Sequence, residues 1–243
     1  MFEIVENHPC PYLTDRVATT AYRLNEGVSE ERYEAMLERG WRRFGRTFFR
    51  PECRGCAECR SLRIEVERFK PNRSMRRTLS ANEDLEVTVG PASLSVEHLE
   101  LYDRYHADMR DRRGWVERDS SPADYHQTFV EGRASWGHEM LIRLHGRLVC
   151  VALLDWLPAA LSAVYCFYDP RLRHRSLGIY AVLQEIELAR REEVPYLHLG
   201  YWIPGNASMR YKSKYRPHEI LRGRPDLDEA AEWREPATPL AGR

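Results

Sequence analysis

Three cysteines within seven residues, Cys53, Cys56 and Cys59 in the run FRPECRGCAECRSLRI, restrict this chain more than any other local feature. Two residues apart, three thiolates can point at one ion from a single tight knuckle, and Gly55 supplies the turn's conformational freedom. A fourth ligand is needed to close a tetrahedral set, and Cys10, followed by Pro11, is the candidate. The same spacing opens a ferredoxin-type run, but the closing C-x3-C-P step is missing, so zinc and an iron–sulfur cluster both stay open. Cys150 and Cys166 lie in apolar, strand-like stretches and read as inert core thiols.

Disulfides are the weaker account of these cysteines, because nothing directs the chain to an oxidising compartment. The start, MFEIVENHPCPYL, has no basic stretch followed by an apolar core, and no uninterrupted apolar run reaches spanning length. The expectation is a cytoplasmic monomer with reduced thiols and no membrane partner. Its 37 basic and 37 acidic residues balance, which removes any global nucleic-acid signature. Locally the charge is uneven: Arg39–Leu79 holds 13 basic against 4 acidic residues, and Ser80–Ser135 holds 6 against 12. A basic face can therefore grip a phosphate backbone, although a solvated arginine-rich surface explains the same charge run.

Two halves differ in character. Residues 1–80 read as a small cysteine-bearing α+β domain. It has strands at 19–25, 46–50 and 62–69, a helix over 29–39 with Ser29 as N-cap, and a basic helix at 73–81. From 81 to 223 the order is strand 84–90, helices 95–112 and 121–131, then strands 138–143, 147–156 and 161–168. Helix 176–192, strand 196–200, helix 205–213 and strand 218–222 follow. Ile179, Leu183, Ile186 and Ala189 recur at helical spacing and make 176–192 the clearest element. Residues 224–243, rich in Pro, Glu and Arg, are expected to be a disordered tail. The element order resembles that of the acyl-CoA N-acyltransferase fold, so the fold class is α+β with an acyltransferase-like second domain.

Two further patterns bear on chemistry. Arg175-Ser-Leu-Gly178 opens the long helix after Tyr168-Asp169-Pro170, placing a guanidinium and free helix N–H groups where a phosphate fits. An ordinary helix start has the same letters. Leu197-His-Leu-Gly-Tyr201-Trp202-Ile-Pro-Gly205 precedes Met209-Arg210-Tyr211-Lys212-Ser213-Lys214, which carries two of the chain's three lysines. Aromatics alternating with cations can stack a base and neutralise phosphates or a carboxylate; an exposed basic helix face is the competing reading.

Taken together, C-P-Y-L at Cys10–Leu13, the cysteine knuckle, R-F-K-P-N-R-S at Arg68–Ser74 and D-W…L-S-A-V-Y at Asp155–Tyr165 form one part of an ordered set. Y-D-P…R-S-L-G-I-Y-A at Tyr168–Ala181, Y-L-x-L-G-Y-W-I at Tyr196–Ile203 and M-x-Y-K at Met209–Lys212 form the other. This set resembles the arginyl-tRNA–protein transferases, especially their short bacterial branch, which attaches leucine to N-terminal Asp or Glu. One departure stands out: Asn206 occupies a position where that branch usually carries cysteine.

The resemblance implies an aminoacyl-tRNA donor, acceptor proteins with N-terminal Asp or Glu, a part in marking proteins for degradation, and no organic cofactor. Leucine is the favoured donor residue over arginine. Such a reaction starts from an activated ester and an amine of pKa about 7.7–8.0, so alignment and oxyanion donors suffice without a covalent nucleophile. Candidate roles can be placed on this chain. Lys212, with Arg210 or Lys214, meets the acceptor's acidic side chain; Tyr201 and Trp202 line an aminoacyl-adenosine pocket. Arg175 and Gly178 hold a phosphate of the tRNA 3′ end, and Asp169 or Tyr165 takes up a proton. An acyl-CoA-dependent N-acetyltransferase would use the same Arg175–Gly178 turn but leaves the cysteine knuckle without purpose. A non-catalytic metal-knuckle nucleic-acid-binding protein leaves the second half unexplained.

Overall fold

The computed structural model describes residues 3–116 and 121–236. In chain order the elements are β1 (Glu3–Pro9), β2 (Val17–Leu24), α1 (Glu30–Glu38), β3 (Arg42–Phe44), β4 (Thr47–Pro51), β5 (Arg60–Glu65) and α2 (Arg73–Ser80). They continue with β6 (Glu86–Pro91), α3 (Val96–Arg113), α4 (Pro122–Tyr125), β7 (Gly137–Leu144), β8 (Arg147–Trp156) and β9 (Ala160–Tyr168). Last come α5 (Leu177–Arg191), β10 (Tyr196–Trp202), β11 (His218–Leu221) and β12 (Trp233–Arg234). The architecture is mixed α+β. Two compact units divide it, one drawn from Met1–Lys70, Leu157–Ser162 and Ala189–Arg243, the other from Pro71–Trp156 and Ala163–Leu188.

In the first unit β1-β2-β4-β3 form an antiparallel sheet, and β12-β11-β5-β10 lie side by side with Ala160–Ser162 of β9 running parallel to β10. Helix α1 starts as its sequence requires: the Ser29 hydroxyl accepts from the Arg32 N–H at 3.2 Å, and Glu30 and Glu31 occupy the first turn. It buries Tyr33, Met36 and Leu37 and ends at Gly40, whose φ of +83° suits glycine. A Cβ there would come 2.9 Å from the Ser61 hydroxyl, so close approach as well as φ excludes a larger residue.

Arg63, on β5, organises this unit. Its guanidinium reaches both carboxylate oxygens of Glu38 on α1 (2.8 and 2.7 Å) and one of Glu219 on β11 (2.7 Å). It also lies 3.8 Å from the ring centre of Tyr196 on β10 and 4.4 Å from that of Trp233 on β12. A guanidinium taken this far from water is tolerable only with its charge and its faces both matched.

In the second unit β8-β7-β6 are antiparallel neighbours. Strand β8 reads RLVCVALLDW and is buried along almost its whole length, as expected for a strand covered on both faces. Helix α3 is capped by the Ser95 hydroxyl and closed by Gly114 in the left-handed conformation. His98, Leu101, Tyr102, Tyr105, His106 and Met109 form one helical stripe, and its aromatic members pack with Tyr125, Phe129, Val151 and Phe167 into an aromatic core.

The structure corrects several sequence expectations. Strand β1 has no hydrophobic alternation because nearly every residue in it is exposed, so only its pairing with β2 defines it. The helix expected over 205–213 is a short 3-10 turn at Arg210–Lys214. The helix expected over 121–131 is one α-turn followed by a π-turn at His126–Val130. Within the tail expected to be disordered, Trp233–Arg234 pairs with β11; residues 237–243 lie outside those described.

Burial alone would raise the Glu38 carboxyl, but hydrogen bonding and charge from His198 and Arg63 hold it at about 2. His198 is fully buried and pushed below its ordinary value, so near neutrality Arg63 is the partner that counts. A carboxylate held below its unfolded value contributes stability above pH about 4.5 that vanishes as pH falls toward 2. Glu38→Gln is therefore expected to cost about 1–2 kcal/mol at pH 6 by urea unfolding, the gap to wild type closing by pH 2–3. A gap independent of pH would contradict the ion-pair account.

Candidate active site

In the second unit, Tyr165 on β9 is half-buried and its hydroxyl lies 2.9 Å from Nε2 of His106 on α3. His106 Nδ1 is 2.9 Å from the Tyr102 carbonyl oxygen, which can only accept. That geometry places the ring proton on Nδ1 and leaves Nε2 to accept from the Tyr165 O–H. The imidazole is nearly parallel to the Tyr165 ring at 6.0 Å and is flanked by Trp115 at 5.9 Å. The result is an oriented phenol–imidazole pair among aromatic rings, with the phenol oxygen donating to the imidazole and able to accept a proton in exchange.

Asp169 follows β9 directly and is fully buried. Its carboxylate accepts from the Arg171 amide and guanidinium (3.0 and 2.7 Å), from Arg147 at 3.1 Å, and lies 3.6 Å from Arg104. Burial pushes the acid up, but the Arg171 hydrogen bonds and the charges of Arg171 and Arg104 outweigh it and leave the acid below its ordinary value. A carboxylate so held is a poor proton acceptor. Of the two expected proton-takers, Tyr165 stands beside an imidazole and Asp169 is paired with arginines.

Arg175 forms a two-pronged ion pair with Asp84 (2.7 and 3.0 Å) and also reaches the Ala81 carbonyl. Its guanidinium is thus engaged within the protein. Gly178, in the first turn of α5, faces the Tyr168 ring, and a Cβ there would come 3.3 Å from it. The expected Arg175–Gly178 phosphate cradle is in this structure a packing and ion-pair junction.

In the first unit, Tyr201 is buried, and its hydroxyl hydrogen-bonds to the Gly40 and Phe49 carbonyls at 2.8 and 3.3 Å. It serves the core of this unit. Trp202 is also buried, with the Arg60 guanidinium 5.6 Å from its ring centre. Gly200 sits in a β-bulge at φ +75°, and a Cβ there would lie 3.2–3.3 Å from the Arg42 guanidinium. Lys212 is buried as well, its ammonium donating to the Tyr201 carbonyl at 2.8 Å. Burial, reinforced by the Arg42 charge, lowers it to about 7. Arg210 and Lys214, on the same turn, are exposed. Asn206 joins two segments by donating to the Tyr12 carbonyl at 2.9 Å and accepting from the Ser208 amide at 2.9 Å.

Cys10, Cys53, Cys56 and Cys59 are half-buried neighbours. Burial, then the charges of Cys53, Cys10 and Cys56, push the Cys59 thiol up to about 12. The Thr19 amide donates to Cys53 Sγ at 3.3 Å, and Arg224 holds the Cys53 and Cys56 carbonyls at 3.0 and 2.5 Å. Four thiols in one neighbourhood suit a thiophilic ion chemically. Among the described residues, however, no three His, Cys, Asp or Glu side chains stand in ligand geometry.

Residues 8–77 match the family described as arginine-tRNA-protein transferase, N terminus, and residues 97–222 match its C terminus. The chain belongs to the arginine-tRNA-protein transferase family. It is 41% identical over 220 residues to an aspartate/glutamate leucyltransferase of Campylobacter jejuni, covering 90% of this chain and 92% of that one. A protein of the same name from Helicobacter hepaticus is 36% identical, covering 94% and 95%, and one from Halorhodospira halophila is 43% identical, covering 89% and 92%. Among solved structures, one described as a crystal structure of FemX is a loose likeness, with a TM-score of 0.45 at 9% identity, covering 82% of this chain and 79% of that one.

Sequence reasoning on this transferase missed His106 and the arginines around Asp169. His106 continues the apolar stripe of α3, where a histidine looks like ordinary core. Arg104, Arg147 and Arg171 lie on three separate elements and carry no shared motif. Lys212 yields a testable sign. Between pH about 7 and its ordinary 10.5 the unfolded chain holds a proton that the folded chain lacks, so stability rises with pH across that window. Lys212→Met should remove this rise, read as the difference in urea midpoints at pH 7 and 9.5. Parallel pH dependence in both proteins would show that Lys212 is not the group titrating.

Proposed function

We propose that this transferase moves leucine from charged tRNA onto the N-terminal α-amine of proteins beginning with Asp or Glu, marking them for degradation. The observation that carries the reading is 36–43% identity, over about nine-tenths of the chain, to proteins named aspartate/glutamate leucyltransferase. The Tyr165–His106 pair supplies what the chemistry needs. As the acceptor amine attacks the ester carbonyl, the C–N bond forms and the nitrogen must shed a proton. Tyr165 takes that proton while passing its own to His106 Nε2. The imidazolium then returns a proton, through Tyr165, to the departing 3′ oxygen of the tRNA as the C–O bond breaks. Holding the two substrates in line accounts for about 7–11 kcal/mol of the barrier.

Within the first unit, Arg210 and Lys214 are exposed on the turn that Lys212 anchors. Cys10, Cys53, Cys56 and Cys59 would hold zinc or an iron–sulfur cluster that staples the β1–β2 connection to the knuckle. An acyltransferase-like arrangement of the second unit, with β9 leading into α5, fits the same chemistry. No helix among the described residues is long and apolar enough to cross a membrane.

Labelled leucyl-tRNA is expected to label peptides beginning with Asp or Glu and not those beginning with Ala, while arginyl-tRNA leaves all three unlabelled. Tyr165→Phe should lower turnover by about 10²-fold or more with little change in KM for the peptide. Unchanged turnover would remove Tyr165 from the chemistry, and absence of labelling by either tRNA would remove the reading itself.

A further inference from the structure

Three arginines from separate elements converge on one buried carboxylate. Arg104 comes from α3, Arg147 from the start of β8 and Arg171 from the 3-10 turn before α5. All three lie within 3.6 Å of Oδ2 of Asp169, at 3.6, 3.1 and 2.7 Å. A few residues along α3, Asp108 gathers two more: Arg112, four residues on, at 2.5 Å, and Arg173 at 2.8 Å. Five guanidinium groups thus share two carboxylates, a local surplus of three positive charges. One fork would satisfy a buried aspartate; packing three around it carries a repulsive cost that a bound anion relieves.

The exposure agrees. The arginine side chains are 32–60% exposed while Asp169 has no exposure, so the carboxylate acts as an inner template and the guanidinium groups face outward. Arg175 with Asp84 is by contrast a one-to-one pair with no surplus. Beside the patch, Tyr105 follows Arg104 and Tyr168 precedes Asp169. Their rings are 5.1 Å apart, and Trp115 lies 6.2 Å from Tyr105. Tyr168 and Trp115 are only part-buried. Forked cations next to partly open aromatic faces suit a flexible strand of nucleotides, whose phosphates and bases need both.

We propose that this arginine patch holds the phosphate backbone of the single-stranded 3′ end of tRNA, with Tyr168 and Trp115 offering faces to its bases. The assignment rests on the transferase reading above. A pyrophosphate-bearing acyl donor such as CoA shares the phosphate chemistry, and the test separates the two.

Uncharged tRNA binding is measured against salt for the unaltered protein, for Arg147→Ala with Arg171→Ala, and for the same pair changed to Lys. The alanine pair should weaken binding about tenfold or more at low salt, and the salt slope should become shallower by about one for each phosphate no longer neutralised. The lysine pair, which keeps the point charges, should recover most of the slope. A tRNA without its single-stranded 3′ end should bind more weakly to the unaltered protein and be indifferent to the alanine pair. Equal affinity and slope in all three proteins overturns the patch, as does sensitivity of the truncated tRNA to the alanine pair. Displacement of tRNA by CoA reassigns the patch to a CoA-type donor and also overturns it. If the unaltered protein binds no tRNA, the patch falls together with the transferase reading; if it transfers leucine but ignores the substitutions, only the patch falls.

Discussion

The Arg63 guanidinium is the constraint on which most of the first unit depends. It sits on β5 and is matched from four directions: Glu38 from α1, Glu219 from β11, and the rings of Tyr196 on β10 and Trp233 on β12. A buried cation is tolerated only with its charge neutralised and its faces covered, and these four neighbours share that task. This explains why the short strand β12 belongs to the folded part despite its polar surroundings. Trp233 covers one face of the cation, and two backbone pairings with β11 fix it there.

The second unit follows the same logic with the signs reversed. Asp169 is a buried anion surrounded by cations, placed where β9 ends and the 3-10 turn before α5 begins. Its side chain caps that turn while its charge draws together arginines distant in sequence. Structure and recognition are thereby joined in one residue: the carboxylate shapes the backbone inward and presents guanidinium groups outward. Tyr165 lies four residues earlier on the same strand. The strand that aims the phenol at His106 also delivers the anchor of the arginine patch.

Lys212 and Arg175 show how letters can be right about chemistry and wrong about geometry. In the sequence both read as cations that could meet a ligand. In the fold both are occupied, Lys212 by the Tyr201 carbonyl and Arg175 by Asp84. Their types signal charge, whereas their accessibility depends on which carbonyl or carboxylate the fold brings within hydrogen-bond distance, about 3 Å. Asn206 is the converse case. Its departure from the pattern of the bacterial branch coincides with a structural duty, bridging Tyr12 and Ser208, that an amide performs with both of its ends.

Elements with a strong internal period were legible in the sequence alone: α1 with its Ser29 cap, the apolar run of β8, and α5 with its stripe of Ile179, Leu183, Ile186 and Ala189. Their physical cause is local, since capping, propensity and amphipathic spacing act within a turn or two of chain. The ordered motifs from Cys10 to Lys212 likewise pointed to the family. Only the tertiary structure decided that β1 is a strand, that 205–213 is no helix, and that Tyr201 is core. It alone joined Tyr165 to His106, 59 residues away, and Arg104 and Arg147 to Asp169. Hydrogen bonds and ion pairs between distant segments leave no period in the sequence, because their partners are chosen by the packing of whole elements and not by neighbours along the chain.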